Sequence, residues 1–582
     1  MESFPGEAVV REPSLAEDPA LGLSHRAKME ILFAVMLGLF LGALDQTIVG
    51  PALPTIVTQL AGNDVYVWAV TIYLLTSTIS VPFWGKLSDL YGRKPMFMIG
   101  IVIFLVGSAL SGLSQNMTQL IAFRGLQGIG AGSLFPIALA VIGDLFSPAE
   151  RGKYQGLFGA VFGIAFIVGP LVGGFLTEQI SWHWIFYVNI PIGLVSLFFI
   201  WRLLPTVKNP RASRNFDVLG GVIFTIATAL LLIGLTEKGQ TNPATHALND
   251  WFDSIAVSIA GLNFTVSVAS LIGASLIGVV LFIWAESRAK EPIVPLDLFR
   301  NRTYAASMVS TFFAAFAFFG AIIFLPRWFQ IVQGYSPTNS GLAALPLMVG
   351  LIFSSIASGL IVARTGRYKW LTVGAIVLMG ISTLLMTQLR AETPVGIVWL
   401  WMFIAGLGVG PTFAVFTLIV QNAVPFNMLG VATSNLTFFR QIGGTVALAI
   451  VGTLFAGSFT EQLAPQMTAS GVPAAVVDGF TQAMHSGALD FNQLTGTGDL
   501  GQSIAAAQPA LAPVVPQIVA GIHEAFSLGV ASTFIIGVGA SILAALAAAA
   551  MQELKLRQST TAQAAAPATA GDGRRPPLPA AD

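Results

Sequence analysis

Gly85-Lys86-Leu87-Ser88-Asp89-Leu90-Tyr91-Gly92-Arg93-Lys94 is a short charged stretch lying between two long apolar runs. Only 10% of the 582 residues are Asp, Glu, Lys or Arg, and 55% are apolar. Ordinary globular chains carry about 25% charged residues. A cluster of charges between hydrophobic segments therefore reads as a loop at a membrane surface, and the chain around it as a polytopic membrane protein.

Reading outward from the loop, a membrane helix needs about 20 mainly apolar residues. Fourteen such runs start near Ile31, Tyr66, Met96, Met117, Gly152, His183, Asp217, Phe264, Thr303, Thr338, Lys369, Val395, Met428 and Gly521. The sixth and seventh runs, and the seventh and eighth, are the ones open to misjudgement, and twelve is then the count. Lys and Arg in the connections test the orientation, because they accumulate on the cytoplasmic side. With the N-terminus inside, 23 of the 28 fall in inner segments; Lys238 and Arg390 are outside, and Arg124, Arg327 and Arg440 lie within spans. One missed helix would invert every later loop and spoil this asymmetry. Both termini are expected in the cytoplasm, with the chain multi-pass in the plasma membrane.

The net charge is zero and there is no cysteine, which excludes disulfides, thiol catalysis and Cys-ligated metals. No nucleotide-binding loop, metal-ligand spacing or nucleophile-base constellation is visible, so no enzyme, cofactor, metal or nucleic-acid partner is expected. Residues 1–27, polar and with Pro5, Pro13 and Pro19, read as a disordered tail without a cleavable signal before the first span. The Ala/Pro/Thr-rich residues 554–582 read the same way. The longest connection, 458–520, has no Lys or Arg but includes Glu461, Asp478, Asp490 and Asp499, which suits an external loop. It fits a cap over a transport path and a passive insertion equally well.

The charged loop has a second copy. Gly85…Gly92-Arg93 matches Gly359…Gly366-Arg367, and Gly128-x-Gly130-x-Gly132 matches Gly406-x-Gly408-x-Gly410. Gly130 to Gly152 and Gly408 to Gly430 are both 22 residues. Residues 28–205 and 291–553 are thus expected as two equivalent six-helix halves, with an insert of two helices in 206–290. Paired halves with a substrate site between them are the arrangement of alternating-access transporters.

These stretches resemble the major facilitator superfamily, and within it the fourteen-helix drug:proton antiporters. Gly85–Lys94 matches the loop signature G-x-L-x-D-x-x-G-R-K at every position. Leu44-Asp45-Gln46-Thr47-Ile48-Val49 with Ala52-Leu53-Pro54 is similar to the first-helix motif, and Arg124-x-x-Gln127-Gly128 to the fourth-helix motif. Gly169-Pro170-x-x-Gly173-Gly174 resembles the fifth-helix antiporter motif, with Ala165 where an upstream glycine is usual. Trp182-His183-Trp184-Ile185-Phe186 and Asn189-x-Pro191-x-Gly193 complete the set, His183 standing where Arg is commoner. The likeness covers about residues 30–455 and the last helix. It implies the major-facilitator fold, all-α with fourteen transmembrane helices, and multidrug efflux in exchange for protons.

Asp45 lies 14 residues into its span, about 21 Å deep. A carboxylate there costs roughly 2.5–3.5 kcal/mol on insertion scales, so it must face a partner or a cavity. Its two readings are a proton-coupling group and a structural hydrogen bond; the resemblance implies coupling. Arg124 sits at nearly the same depth, about 10 Å below the outer end of its helix. Depth alone leaves open an ion pair with Asp45 or an arginine capping carbonyls between helices. The resemblance implies a part in proton transfer. Gln127 and Arg440 are candidates for substrate contact or coupling, Arg440 being about 18 Å from the inner end of its span. Arg327 beside Trp328 reads as a snorkelling arginine with an interfacial aromatic anchor.

Gly169, Pro170, Gly173 and Gly174 remove bulk and a backbone donor, permitting a bend or close packing. In the family, Asp89 holds the start of a second-half helix, here the one after Met428, and Arg93 pairs with the residue matching Asp144. Such contacts bias a two-state equilibrium by breaking as the inner side opens. Glu178, His183 and His246 read as ordinary exterior groups. The expected partners are small hydrophobic or cationic substrates, protons and lipids, handled by a monomer. Rival readings are a proton symporter, an exporter of lipids, siderophores or an antibiotic, and a non-transporting receptor or scaffold.

Overall fold

All fourteen apolar runs are helical in the computed structural model. Lipid offers no hydrogen bonds, so a spanning backbone must satisfy its own N–H and C=O groups. The structure describes residues 23–60, 66–205, 217–238, 257–259, 262–264, 268–485, 501, 504 and 509–556. The expected tails 1–27 and 554–582 therefore lie mostly outside the described residues, as do His246 and Asp490.

In the first half, α1 (His25–Gln59), α2 (Tyr66–Tyr91), α3 (Arg93–Gly112), α4 (Met117–Leu145) and α5 (Pro148–Gln179) are followed by a turn, α6 (Trp184–Tyr187), leading into α7 (Asn189–Leu203). The insert is α8 (Val218–Lys238), a two-stranded antiparallel ribbon of β1 (Val257–Ile259) and β2 (Leu262–Phe264), and α9 (Val268–Glu286). The second half holds α10 (Arg302–Ile331), a short α11 (Pro337–Ala343), α12 (Leu345–Thr365), α13 (Lys369–Met386), α14 (Val395–Ala423), α15 (Leu429–Ala469), α16 (Ala474–His485) and α17 (Val515–Ala550). Among the described residues, twelve helices are long and apolar enough to cross a membrane. The other two expected spans are α2, which carries Lys86, Asp89 and several hydroxyls, and the shorter apolar α9. The chain is a multi-pass membrane protein.

Helix α1 begins before residue 28 because Ser24 supplies an N-cap, its hydroxyl accepting from Ala27 N at 3.2 Å. The stretch 458–520, expected as an external loop, is largely helical where it is described. Helix α15 runs through Ser458 to Ala469, and α17 starts at Val515. At 41 and 36 residues these helices are about 60 and 54 Å long, well beyond a hydrocarbon core of about 30 Å. The extension is helical because Phe455, Phe459, Leu463 and Met467 repeat every four residues. All four are buried, and Phe455 and Phe459 pack edge-on against Phe526 of α17.

Helix α8 of the insert sits against the seam between halves, and α9 packs on it through Phe282 against Phe224. Phe224 of α8 packs on Phe83 of α2 at 5.9 Å and on Phe438 of α15 at 5.0 Å, ring centre to ring centre. Two glycine crossings join the halves at the end bearing Gly85–Lys94, called the loop end below. A methyl at Gly85 would overlap Ser434 and crowd the Gly430 carbonyl, and one at Gly359 would overlap the Gly152 carbonyl. Helix α2 thus meets the start of α15 as α12 meets the start of α5, which is the sequence repeat expressed in space.

Candidate functional site

Five first-half helices converge on Asp45, whose exposure is 0%. Arg124 Nη1 donates to its Oδ2 at 2.8 Å. Its Oδ1 accepts from Gln127 Nε2 at 2.8 Å and from Asn189 Nδ2 at 2.9 Å. Both carboxylate oxygens are therefore occupied. Helix α4 supplies Arg124 and Gln127 because residues three apart share a face, and Arg124 also donates to Gln127 Oε1 at 2.9 Å. Arg124 Nε donates to the Ala69 carbonyl at 3.2 Å, and its guanidinium lies 4.1 Å from the Tyr73 ring centre. Asn189 further donates to Ser108 Oγ at 3.1 Å, and Ser108 to the Phe186 carbonyl at 2.8 Å. A buried ion pair supported this fully holds together only while both partners are charged. Removing one leaves the other uncompensated, at roughly 3–5 kcal/mol.

The depth match between Asp45 and Arg124 is thus a direct ion pair. Sequence reasoning did not assign Asn189, Tyr73 or Ser108 to this network. Asn189 carried a signal, a polar amide opening an apolar span inside a recognised motif, but nothing in the sequence pointed it at Asp45.

The antiporter motif on α5 packs against the same part of α1. Gly169 abuts Thr47 and Gly173 abuts the Ile48 backbone. Thr47 donates to the Ala165 carbonyl at 3.0 Å, one turn before Pro170. Gly174 is buried on the same helix. Pro170 faces the second half, where a methyl at Gly341 would come within 3.2 Å of its Cβ.

At the loop end, Asp89 reaches across the seam. Its Oδ1 accepts from Gly430 N at 3.0 Å and its Oδ2 from Val431 N at 2.8 Å, capping the N-terminus of α15. Arg93 pairs with Asp89 and, through Nε, with Asp144 Oδ2 at 2.9 Å; its Nη1 also donates to Ser88 Oγ at 2.7 Å. Gly92 sits at φ 99°, which lets α3 start directly after α2. Lys86 pairs with Glu291 at 2.7 Å, tying the loop to the segment after the insert.

Arg440 is separate from all of these. It is half-buried on α15, donates through Nη2 to the Thr412 carbonyl at 3.1 Å and stacks over Phe413 at 4.3 Å. Arg327 is exposed. Trp328 is not an interfacial anchor: it is fully buried and its indole N–H donates to Ser527 Oγ at 2.9 Å. A satisfied N–H removes the need for the indole to reach water. Glu178 is exposed. His183 is half-buried, stacked on Trp182 and bonded to Ser181 Oγ at 2.7 Å, and burial lowers its pKa.

The sequence model for the Major Facilitator Superfamily matches residues 35–448. The chain is 38% identical over 441 residues to the multidrug transporter protein MdtP of Bacillus subtilis, covering 75% of this chain and 78% of that one. It is 39% identical over 447 residues to an MFS-type transporter of Mycobacterium tuberculosis, covering 77% of this chain but only 62% of that longer relative. Its fold is similar to a crystal structure of a bacterial homolog of the human lysosomal transporter Spinster, in an inward-facing, unoccupied conformation. That match has a TM-score of 0.54 at 16% identity and covers 92% of this chain and all of the other. The chain belongs to the Major Facilitator Superfamily.

Proposed function

We propose that this chain exports apolar, drug-like small molecules by alternating access, exchanging them for protons across the cytoplasmic membrane. The multidrug role of the Bacillus relative supports the substrate class. The distribution of Lys and Arg supports a cytoplasmic loop end. The observation that carries the coupling is Asp45, at 0% exposure and held by Arg124, Gln127 and Asn189.

Protonating Asp45 removes the charge that Arg124 neutralises. The Arg124 guanidinium then needs another acceptor, and the packing of α1 against α4 that depends on the pair is weakened. Proton binding thereby changes the relative free energy of two arrangements of the halves, the only way a ligand shifts such an equilibrium. The loop-end contacts of Asp89, Gly85 and Gly359 form the other side of that balance, since opening to the cytoplasm must break them. Arg93 and Asp144 hold Asp89 in position. The Gly169–Gly174 segment lets α5 lie close to α1 beside the coupling carboxylate.

The test is drug movement driven by an imposed pH gradient in proteoliposomes. Asp45→Asn is expected to reduce gradient-driven efflux and substrate-induced proton release to background while binding persists. Proton release that survives the substitution overturns Asp45 as the coupling group. Arg124→Ala is expected to abolish coupling as well; intact coupling in that variant assigns Arg124 to packing alone.

A further inference from the structure

Within the membrane-spanning core, the two halves treat charge in opposite ways. The first half has a carboxylate, Asp45, with every oxygen already bonded inside its own half. The second half has a guanidinium, Arg440, that makes no ion pair among the described residues. Its contacts are one carbonyl, Thr412 O, and one ring, Phe413. Arg440 lies about 17 Å along α15 from its start at Leu429, near the middle of a core about 30 Å thick. An unpaired cation at that depth is costly, and charges kept there mark substrate or ion pathways.

The surroundings are those of a site between halves. Phe413 of α14 packs against Phe158 and Phe162 of α5 at 5.9 and 5.3 Å, and against Phe318 of α10 at 5.8 Å. Phe166 continues the row from Phe162 at 4.9 Å. Arg440 stands on the edge of this aromatic cluster, which both halves build. Next to it, the Gln441 amide oxygen is buried without a donor. An apolar body would lie on the rings while a planar acid group met the planar fork of the guanidinium, which suits bidentate recognition.

We infer that Arg440 is a specificity-determining residue that receives the acid group of an anionic amphiphile, with the Phe413–Phe158–Phe162 cluster taking its apolar part. The inference rests on the efflux reading and deepens it by giving the sign of the charge preferred at the second-half site. A cationic head would meet Arg440 as a like charge, and Asp45 has no open oxygen to offer it.

The probes are pyrenebutanoate and pyrenebutyl-trimethylammonium, which share an aromatic body and differ in the sign of the head group. Binding to the purified full-length chain in lipid nanodiscs is read by fluorescence anisotropy, without any flux. The wild type is expected to bind the acid at least about tenfold more tightly than the ammonium compound, a difference of about 1.4 kcal/mol. Arg440→Gln should erase that preference, and Arg440→Lys should retain part of it by keeping the charge. Equal binding of the two probes by the wild type, or an acid preference that survives Arg440→Gln, overturns the assignment. The same probes are then followed under a pH gradient in proteoliposomes. An Arg440-dependent acid preference without gradient-driven movement upholds the site and counts against proton-coupled export. Movement without the preference does the reverse.

Discussion

The loop Gly85–Lys94 and its second copy, Gly359–Tyr368, occupy equivalent places in the two halves but are tied down differently. Each begins with a glycine that lets its helix cross the opposite half, at Gly430 and Ser434 in one case and at Gly152 in the other. Each contains a glycine with positive φ, Gly92 at 99° and Gly366 at 68°. Beyond that they part. Asp89 bonds across the seam to Gly430 N and Val431 N, whereas its counterpart is Ala363. The start of α5, which faces the second copy, has its own capping box from Ser147 and Glu150.

The second copy is fastened instead to the segment after α17, within its own half. Tyr368 N donates to Glu553 Oε1 at 3.0 Å, and the Tyr368 hydroxyl donates to the Gln552 carbonyl at 3.2 Å and accepts from Leu554 N at 2.6 Å. Burial pushes the Tyr368 phenol above its usual range, so it stays protonated as a donor. Thr303 and Asn422 hold the same segment through Gln552 and Lys555. The difference teaches that steric closure is symmetric while the electrostatic latch is one-sided. Contacts of Asp89 must break when the halves part, whereas those of Tyr368 travel with the second half.

The comparison can be tested with single reporter cysteines, because the chain has none of its own. Gln155→Cys places a thiol at a buried position where Gln155 bonds Gln421 across the seam at 2.7 Å, and its maleimide labelling rate reports opening. The largest effect is expected from Gly85→Leu and from Gly359→Leu. Each inserts a side chain where backbone or Ser434 already sits, costing about 1–3 kcal/mol or more. Both should raise the labelling rate and lower transport to a similar degree. A strong effect at one glycine and none at the other would break the symmetry of the crossings.

A smaller, unequal pair of effects is expected for the latch. Asp89→Asn removes the charge from two backbone bonds and from the Arg93 pair. Hydrogen bonds to charged groups contribute about 1.5–3 kcal/mol each. Labelling of the Gln155→Cys reporter should rise roughly tenfold or more, a factor of ten being about 1.4 kcal/mol. Ala363→Asp should move labelling the other way and by less, since a carboxylate near a helix N-terminus adds about 0.3–1 kcal/mol. Equal and opposite shifts would mean that the second copy is also a latch lacking only its acid. The smallest effect belongs to Tyr368→Phe. It loses neutral bonds of about 1 kcal/mol each, which should lower thermal stability by a few degrees and leave labelling unchanged. Faster labelling in that variant would show that the second copy takes part in opening.

Much of this was legible in advance, for identifiable reasons. Spans follow from the length of apolar runs, a one-dimensional property, and thirteen of the fourteen expected starts lie in or beside an observed helix; Phe264 instead ends β2, with α9 beginning at Val268. The halves were readable because glycine at a close crossing leaves a repeat that the sequence preserves. Asp89, Arg93 and Asp144 were readable through motif resemblance rather than spacing. The extended α15 and α17 were not foreseen, since 458–520 was expected as one external loop. The hydrophobic repeat Phe455, Phe459, Leu463, Met467 becomes informative only with a second helix to receive it. Trp328 was assigned to the interface because Ser527, nearly 200 positions away, was invisible as its partner.

The sequence by itself determined the membrane class, the order of the apolar helices and the duplicated halves. Those properties depend on hydrophobic length and on rise per residue, which are local. Only the tertiary structure decided which charges are satisfied. Asp45 meets Arg124, Gln127 and Asn189 because α1, α4 and α7 converge, whereas Arg440 faces a carbonyl and a ring. Pairing is set by the rotation of each helix about its axis, which depth and span length leave undetermined and helix packing fixes.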